Sequence, residues 1–269
     1  MKKILVPTDF SKGAENALNY AIDFANRASG QITLLHAYRL HSTADMLVSV
    51  EQIMEKEAQE QMQRLQLSVQ ARLRGPTTVD SIVARGEAVK LITDLAARGG
   101  YNLIVMGTQG ATGLKEIFMG STANGVIKHA KVPVLAIPGD FAFRPIRQIA
   151  FAIDDEVISH PGVTAMLVEI ARSCRAKVLV FHQGLGDFDD GIDPAIDIHL
   201  EGVEHSFHYE LDEAAVNESI NNFVKDYDAD LLCMVRRHRG FLESVFHVSV
   251  TTREIFNSPV PLLVLFDEG

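Results

Sequence analysis

Residues 4–9 read Ile-Leu-Val-Pro-Thr-Asp, and residues 149–154 read Ile-Ala-Phe-Ala-Ile-Asp. Each is a short apolar run that ends on an aspartate, and each opens a half of the chain in which the same landmarks follow in order. Asn102-Leu103-Ile104-Val105-Met106 is answered by Asp230-Leu231-Leu232-Cys233-Met234. Val132-Pro133-Val134-Leu135-Ala136-Ile137 is answered by Val260-Pro261-Leu262-Leu263-Val264-Leu265. Both of these later pairs are offset by 128 residues. A period this long marks duplicated domains rather than a solenoid. Residues 141–147, with Pro138, Gly139 and Pro145 around them, read as the linker, which gives domains at 1–139 and 140–269.

Within the first half, residues 4–6, 32–36, 79–84, 103–106 and 134–137 are short runs rich in Val, Ile and Leu, the signature of buried strands. Ala14, Ala17, Leu18, Ala21, Ile22 and Ala25 recur at helical spacing behind Ser11, a good N-cap. Val50, Met54, Ala58, Met62, Leu65, Val69 and Leu73 make a longer second stripe, stopped by Gly75-Pro76. Residues 86–98 and 121–130 supply two more helices. Strand-helix alternation of this kind predicts an α/β fold: in each half an open, mostly parallel, five-stranded sheet with helices on both faces. The second half departs once. Residues 184–202 hold six Asp or Glu and no long amphipathic stripe, so the long second helix is expected to be shortened or lost there.

The bulk numbers narrow the function classes. The chain has 269 residues, 47% apolar and 22% charged, with no apolar run long enough to span a membrane. Lys2 and Lys3 precede an apolar run that stops at Pro7, too short for a signal peptide. Cys174 and Cys233 form no CxxC pattern, so a reduced, cytoplasmic setting is expected. The net charge of −10 is uneven, +3 over residues 1–139 and −13 over 140–269. An acidic surface repels phosphate backbones and argues against nucleic acid as a partner.

The segment that carries chemistry is Gly107-Thr108-Gln109-Gly110, nine residues, then Gly120-Ser121. It follows a predicted strand, beginning just after Met106, and runs into a predicted helix. Glycines let backbone amides approach a ligand without a Cβ in the way. The first N–H groups of the helix at Ser121 lack internal partners and suit phosphate oxygens. In an open parallel sheet this loop lies at the carboxyl edge of the strands, where Asp9 also lies. The pattern is neither a P-loop nor a dinucleotide GxGxxG.

This arrangement resembles the ATP-binding branch of the universal stress protein family, whose pattern is GxxG, nine residues, then G and S or T. Val6-Pro7-Thr8-Asp9-Phe10-Ser11 and Val132-Pro133-Val134-Leu135 resemble the family as well. The likeness spans 1–139 and, more loosely, 147–267. It implies a Rossmann-like fold of the adenine nucleotide alpha hydrolase type. It also implies that Gly107, Gly110, Gly120 and Ser121 hold the phosphates of ATP, with Mg²⁺, that Thr122 joins them through its amide, and that Met106 belongs to the same nucleotide site. Pro7, Thr8 and Asp9 would meet the adenosine, and Ala37 would line the adenine pocket. It implies further that the last strands, 134–137 and 262–265, pair within the chain as a pseudo-dimer, and leaves a homodimer of whole chains open.

The second half breaks the pattern. At the 128-residue offset, Gly107, Gly110 and Gly120 become Val235, His238 and Val248, while Ser121 becomes Ser249. Three β-carbons stand where a backbone had to approach phosphate, and Arg236, Arg237 and Arg239 offer charge without a cradle. ATP is therefore expected only in the first half, although Asp154 still matches Asp9. His205 and His208, three apart in a predicted strand, point to opposite faces and do not share a metal readily. No general base is placed beside the phosphates, so the expected role is regulatory, through nucleotide-dependent conformation, with at most slow hydrolysis. Two alternatives stay open: an interaction module whose acidic second half binds a protein, and an adenylating enzyme.

Overall fold

A computed structural model of the chain describes residues 2–39, 47–109, 120–139, 141–184, 195–211, 215–237 and 258–269, the side chains of 47–51 and 211 apart. Gly110, Lys115, Asp187, His238, Arg239, His247, Val248 and Ser249 lie outside the described residues. Two compact units are found, one ending at Val132 and the other beginning at Pro133.

The first unit contains β1 (Lys3–Pro7), α1 (Lys12–Ala28), β2 (Gln31–Tyr38), α2 (Leu47–Gln70), β3 (Thr78–Arg85), α3 (Ala88–Arg98), β4 (Leu103–Gly107) and α4 (Ser121–His129). Its strands run in the order β3-β2-β1-β4, all parallel. The apolar run that opens the sequence lies in the centre, with Ile4, Leu5 and Val6 buried. The whole stripe read on α1 is buried, from Ala14 through Ala17, Leu18, Ala21 and Ile22 to Ala25. Ser11 caps that helix by accepting from the Ala14 amide, as its position before the stripe predicts. Much of the α2 stripe faces the core: Ala58, Met62 and Val69 are buried and Leu65 and Leu73 half-buried, whereas Met54 is exposed.

The second unit contains β5 (Val134–Ile137), β6 (Gln148–Ile153), α5 (Ala165–Cys174), β7 (Lys177–Gly184), α6 (Ile196–His199), β8 (His205–Leu211), α7 (Val216–Asp226), β9 (Leu231–Arg236) and β10 (Leu262–Phe266). The strand order is β5-β10-β9-β6-β7-β8. All pairs are parallel except β5 with β10, where Leu135 faces Leu263 in antiparallel register. Each half of the sequence thus supplies five strands, and 134–137 does pair with 262–265. That pairing is why the unit boundary falls before β5. Covering each of these apolar strands with the other removes two exposed sheet edges.

Residues 141–147 are tied down rather than slack. Arg144 Nε lies 2.8 Å from Asp230, and the Arg147 and Gln148 amides donate to the same carboxylate at 2.7 and 3.1 Å. The long second helix is replaced, among the described residues, by the four-residue α6.

Candidate functional site

The chain leaves β1 through a tight turn. The Ser11 amide donates to Asp9 Oδ1 at 3.0 Å and the Phe10 amide to Thr8 Oγ1 at 3.0 Å. Phe10 takes a left-handed conformation, with φ of 61°. Such a backbone costs a non-glycine residue about 1–3 kcal/mol unless its surroundings hold it. They do: its ring stacks on His36 with centroids 4.6 Å apart, and His36 Nδ1 lies 2.8 Å from the Thr8 carbonyl. The turn fixes Asp9, which is exposed, at the carboxyl edge of the sheet.

On the neighbouring strand, β4 ends at Gly107, and α4 begins after Gly120. The Gly120 amide donates to the Thr108 carbonyl, so the two ends of the intervening stretch are held together. The N-cap of α4 is Gly120, so among the described residues no N-cap side chain accepts from its first amides, at Ser121, Thr122 and Ala123. Gly107 has a reason of its own to be glycine. A Cβ there would stand 2.7 Å from the Gly13 carbonyl oxygen, because the start of α1 crosses directly over the end of β4. Gly13 reciprocates, since its Cβ would stand 2.5 Å from the Gln109 carbonyl oxygen.

These pieces enclose a cavity of about 340 Å³. It is bounded by the ends of β1 (Pro7, Thr8, Asp9), β2 (Leu35, Ala37) and β4 (Met106 to Gln109), by Ala88 and Ile92 of α3, and by Gly120 to Ala123 at the start of α4. The volume is that of a small-molecule site, about 300–1,000 Å³. Pro7, Thr8, Asp9, Ala37, Met106, Gly107, Gly120, Ser121 and Thr122, singled out from the sequence, all line it. The walls missed from sequence are Ala14, Leu35, Ala88, Ile92 and Ala123, apolar residues of their own elements that only the fold brings to this rim. One side is apolar, built by Leu35, Ala37, Ala88, Ile92 and Met106. The other presents hydroxyls and helix amides. Asp9 is the one ionisable group among the described lining residues.

The sequence has known likenesses. The model of the Universal stress protein family matches residues 1–138 and 189–265. The chain belongs to the universal stress protein family. A universal stress protein of Methanocaldococcus jannaschii is 31% identical over 155 residues, which is 51% of this chain and 94% of that protein. One of Bacillus subtilis is 28% identical over 144 residues, covering 50% of this chain and 97% of its own. The crystal structure of a universal stress protein from Archaeoglobus fulgidus shares the tandem fold, with a TM-score of 0.77 over 97% of each chain at 23% identity.

In the second unit of this universal stress protein, the equivalent edge carries, among the described residues, an internal ion cluster. Arg237, which answers Gln109 at the 128-residue offset, places Nη1 2.5 Å from Asp154 Oδ1 and donates to the Glu156 carbonyl at 2.9 Å. Its Nε lies 3.7 Å from Asp267, a carboxylate held in turn by the Ser159 hydroxyl and amide. Arg237, read from the sequence as charge without a cradle, is thus committed to internal carboxylates. His182 repeats the part of His36, with Nδ1 3.4 Å from the Ile153 carbonyl. His205 and His208 do separate: His205 Nε2 meets Asp197 at 2.8 Å, and His208 packs edge-on to Phe223 of α7. Cys233 is buried, and burial pushes its thiol well above the usual range, whereas Cys174 is only half-buried. Among the described residues no helix is long and apolar enough to cross a membrane.

Proposed function

We propose that this protein binds one adenine nucleotide, ATP with Mg²⁺, in the cavity of domain 1–139, while domain 140–269 binds none and completes a regulatory protein whose output is nucleotide occupancy. The observation that carries the reading is the pairing of an apolar wall with an uncapped helix start around one cavity. A purine would lie against Leu35, Ala37 and Ile92, and phosphate oxygens would accept from the amides of Ser121, Thr122 and Ala123 and from the Ser121 and Thr122 hydroxyls. Asp9 would accept from ribose hydroxyls, since a carboxylate placed among phosphates would repel them. With Asp9 the one ionisable group among the described lining residues, the reading extends to slow hydrolysis at most. The internal ion cluster on Asp154 supports the asymmetry between the domains.

The test is calorimetric titration of nucleotide-stripped protein with Mg-ATP, beside Gly120→Val and Ala37→Phe variants. One site per chain, weakened at least tenfold in both variants, is the expected result. A stoichiometry near two would overturn the assignment of a single competent domain. No saturable binding would overturn the nucleotide reading.

A further inference from the structure

On the α7 side of β8 three side chains form a run of hydrogen bonds. Ser206 Oγ lies 2.9 Å from His208 Nε2, and His208 Nδ1 lies 3.1 Å from the Tyr227 hydroxyl. Ser206 and His208 stand two apart on the strand and so share a face. Their register partners Leu179 and Phe181 put Lys177 on that face as well. Tyr227 is the C-cap of α7. The imidazole is held edge-on by Phe223 and Tyr227, with centroids 5.3 and 4.7 Å away, and Phe223 stacks on Phe181 at 4.5 Å. Ser206 and His208 are only half-buried.

The fold does not require this arrangement. Ile4, Ile32 and Val79 lie abreast in the first unit, as Ile149, Val178 and His205 do in the second. By that register Asp80 and Ile82 of β3 hold the places of Ser206 and His208. The C-cap of α3 is Gly99 where that of α7 is Tyr227. The same frame thus stands in the first unit with no hydroxyl, imidazole or phenol at these three positions.

A nucleophile, a base within hydrogen-bond reach and a third group that orients the base are the parts of an activated serine. In the reactive tautomer the imidazole proton sits on Nδ1 and is donated to Tyr227 Oη, which leaves Nε2 to accept from Ser206. Burial first, and then the charge of Lys177, lower the pKa of His208, so the ring is neutral near pH 7 and able to take a proton. The Lys177 charge also favours an oxyanion formed beside it.

We propose that Ser206, His208 and Tyr227 form a hydrolytic site of the second unit, which takes small activated esters of carboxylic acids. Ser206 Oγ bonds to the ester carbonyl carbon while His208 Nε2 takes its proton. The bond from that carbon to the leaving oxygen then breaks with its electron pair, and the imidazolium returns the proton to that oxygen. Water reverses the acylation: His208 takes one of its protons, its oxygen bonds to the acyl carbon, and Ser206 Oγ departs with the electron pair and is reprotonated. Ser206 and His208 are the catalytic residues, and Tyr227 is a positioning residue. The site does not rest on the nucleotide reading.

The probes are a fluorophosphonate and p-nitrophenyl acetate, used on the full chain without nucleotide. Phosphonate should attach to Ser206, located by mass spectrometry of the peptides, and p-nitrophenol release should saturate with ester. Ser206→Ala should lose both, and His208→Gln should slow both roughly a hundredfold. Tyr227→Phe keeps the ring and removes only the hydroxyl, so kcat should fall several-fold with KM and the urea midpoint unchanged. Circular dichroism and urea midpoints check that each variant is folded, and Ser206→Thr, which keeps the hydrogen bond but crowds the oxygen, serves as a second serine variant. Absence of phosphonate from Ser206 would overturn the proposal. So would ester hydrolysis unchanged in folded Ser206→Ala or Ser206→Thr protein, or labelling unchanged in His208→Gln.

Discussion

Arg237 Nη1 lies 2.5 Å from Asp154 Oδ1, and Asp154 holds in the second half the place that Asp9 holds in the first. The same acidic position thus faces a cavity in one domain and an internal guanidinium in the other. Duplication kept the strand that presents the carboxylate, and the loop that follows the fourth strand of each half decided what the carboxylate meets.

Replacing Arg237 by Met should destabilise the second domain by about 3–5 kcal/mol, because it strands buried Asp267 and half-buried Asp154 without their cation. Urea unfolding followed by far-UV circular dichroism measures this. An added Asp267→Asn change should recover part of the loss, and a gain of stability on Arg237→Met alone would contradict the arrangement.

Acid should act on the same cluster. Burial of Asp267 favours its neutral form, but the Ser159 hydroxyl and amide, the Gly269 amide and Arg237 outweigh it and hold the carboxyl below its usual range. The unfolded chain, with an ordinary carboxyl near about 3.9, then takes the proton first as pH falls. The contribution of Asp267 is therefore complete above about pH 4 and is lost as pH drops through the depressed value. Ser159→Ala should shift the start of acid unfolding upward, read from melting temperatures between pH 2 and 7.

Most of this architecture is legible in the sequence, and the illegible parts have physical causes. The repeat of 4–9 at 149–154 and the offset of 128 survive because buried parallel strands demand apolar runs whatever else changes. Gly120 and Ser121 are readable because their spacing behind Gly107 and Gly110 matches a family pattern. Ile92 and Ala88 were not, since a cavity wall looks the same as any core residue until helices are placed. The partners of Arg237 were not legible, because charge in sequence carries no partner: only the fold brings Asp154 and Asp267, 83 residues before it and 30 after it, to one guanidinium.

The two glycines that flank the loop should respond differently to alanine. At Gly107 a Cβ meets the backbone of α1 at 2.7 Å, so Gly107→Ala should cost about 1–3 kcal/mol of stability from overpacking. Gly120 has φ of −58° and ψ of 152°, a conformation any residue adopts, so Gly120→Ala should leave stability within about 1 kcal/mol of the parent. Urea midpoints of the two variants decide it. Equal losses would show that Gly120 is held by packing too.

His205 and His208 should titrate on opposite sides of the ordinary histidine value of about 6.5. Burial opposes the charge on His205, yet the Asp197 side chain, the Val203 carbonyl and the Asp197 charge together raise it. Burial first, then Lys177, lowers His208. The His205 contribution to stability is present below about 6.5 and is lost as pH rises through the raised value. Proton NMR of the imidazoles should show the split, and Asp197→Asn should move His205 down while leaving His208 in place.

Asp9 gives the sharpest sign test of the nucleotide reading. Asparagine keeps the Oδ1 acceptor for the Ser11 amide, so Asp9→Asn should leave the β1 turn and the stability intact. If the carboxylate accepts from ribose hydroxyls, losing its charge removes a charge-assisted hydrogen bond of about 1.5–3 kcal/mol, and Mg-ATP should bind at least tenfold more weakly. If instead Asp9 only opposes the phosphates, the variant should bind Mg-ATP more tightly than the parent. Calorimetry on folded Asp9→Asn protein separates the two, and tighter binding would remove Asp9 from the adenosine side of the site.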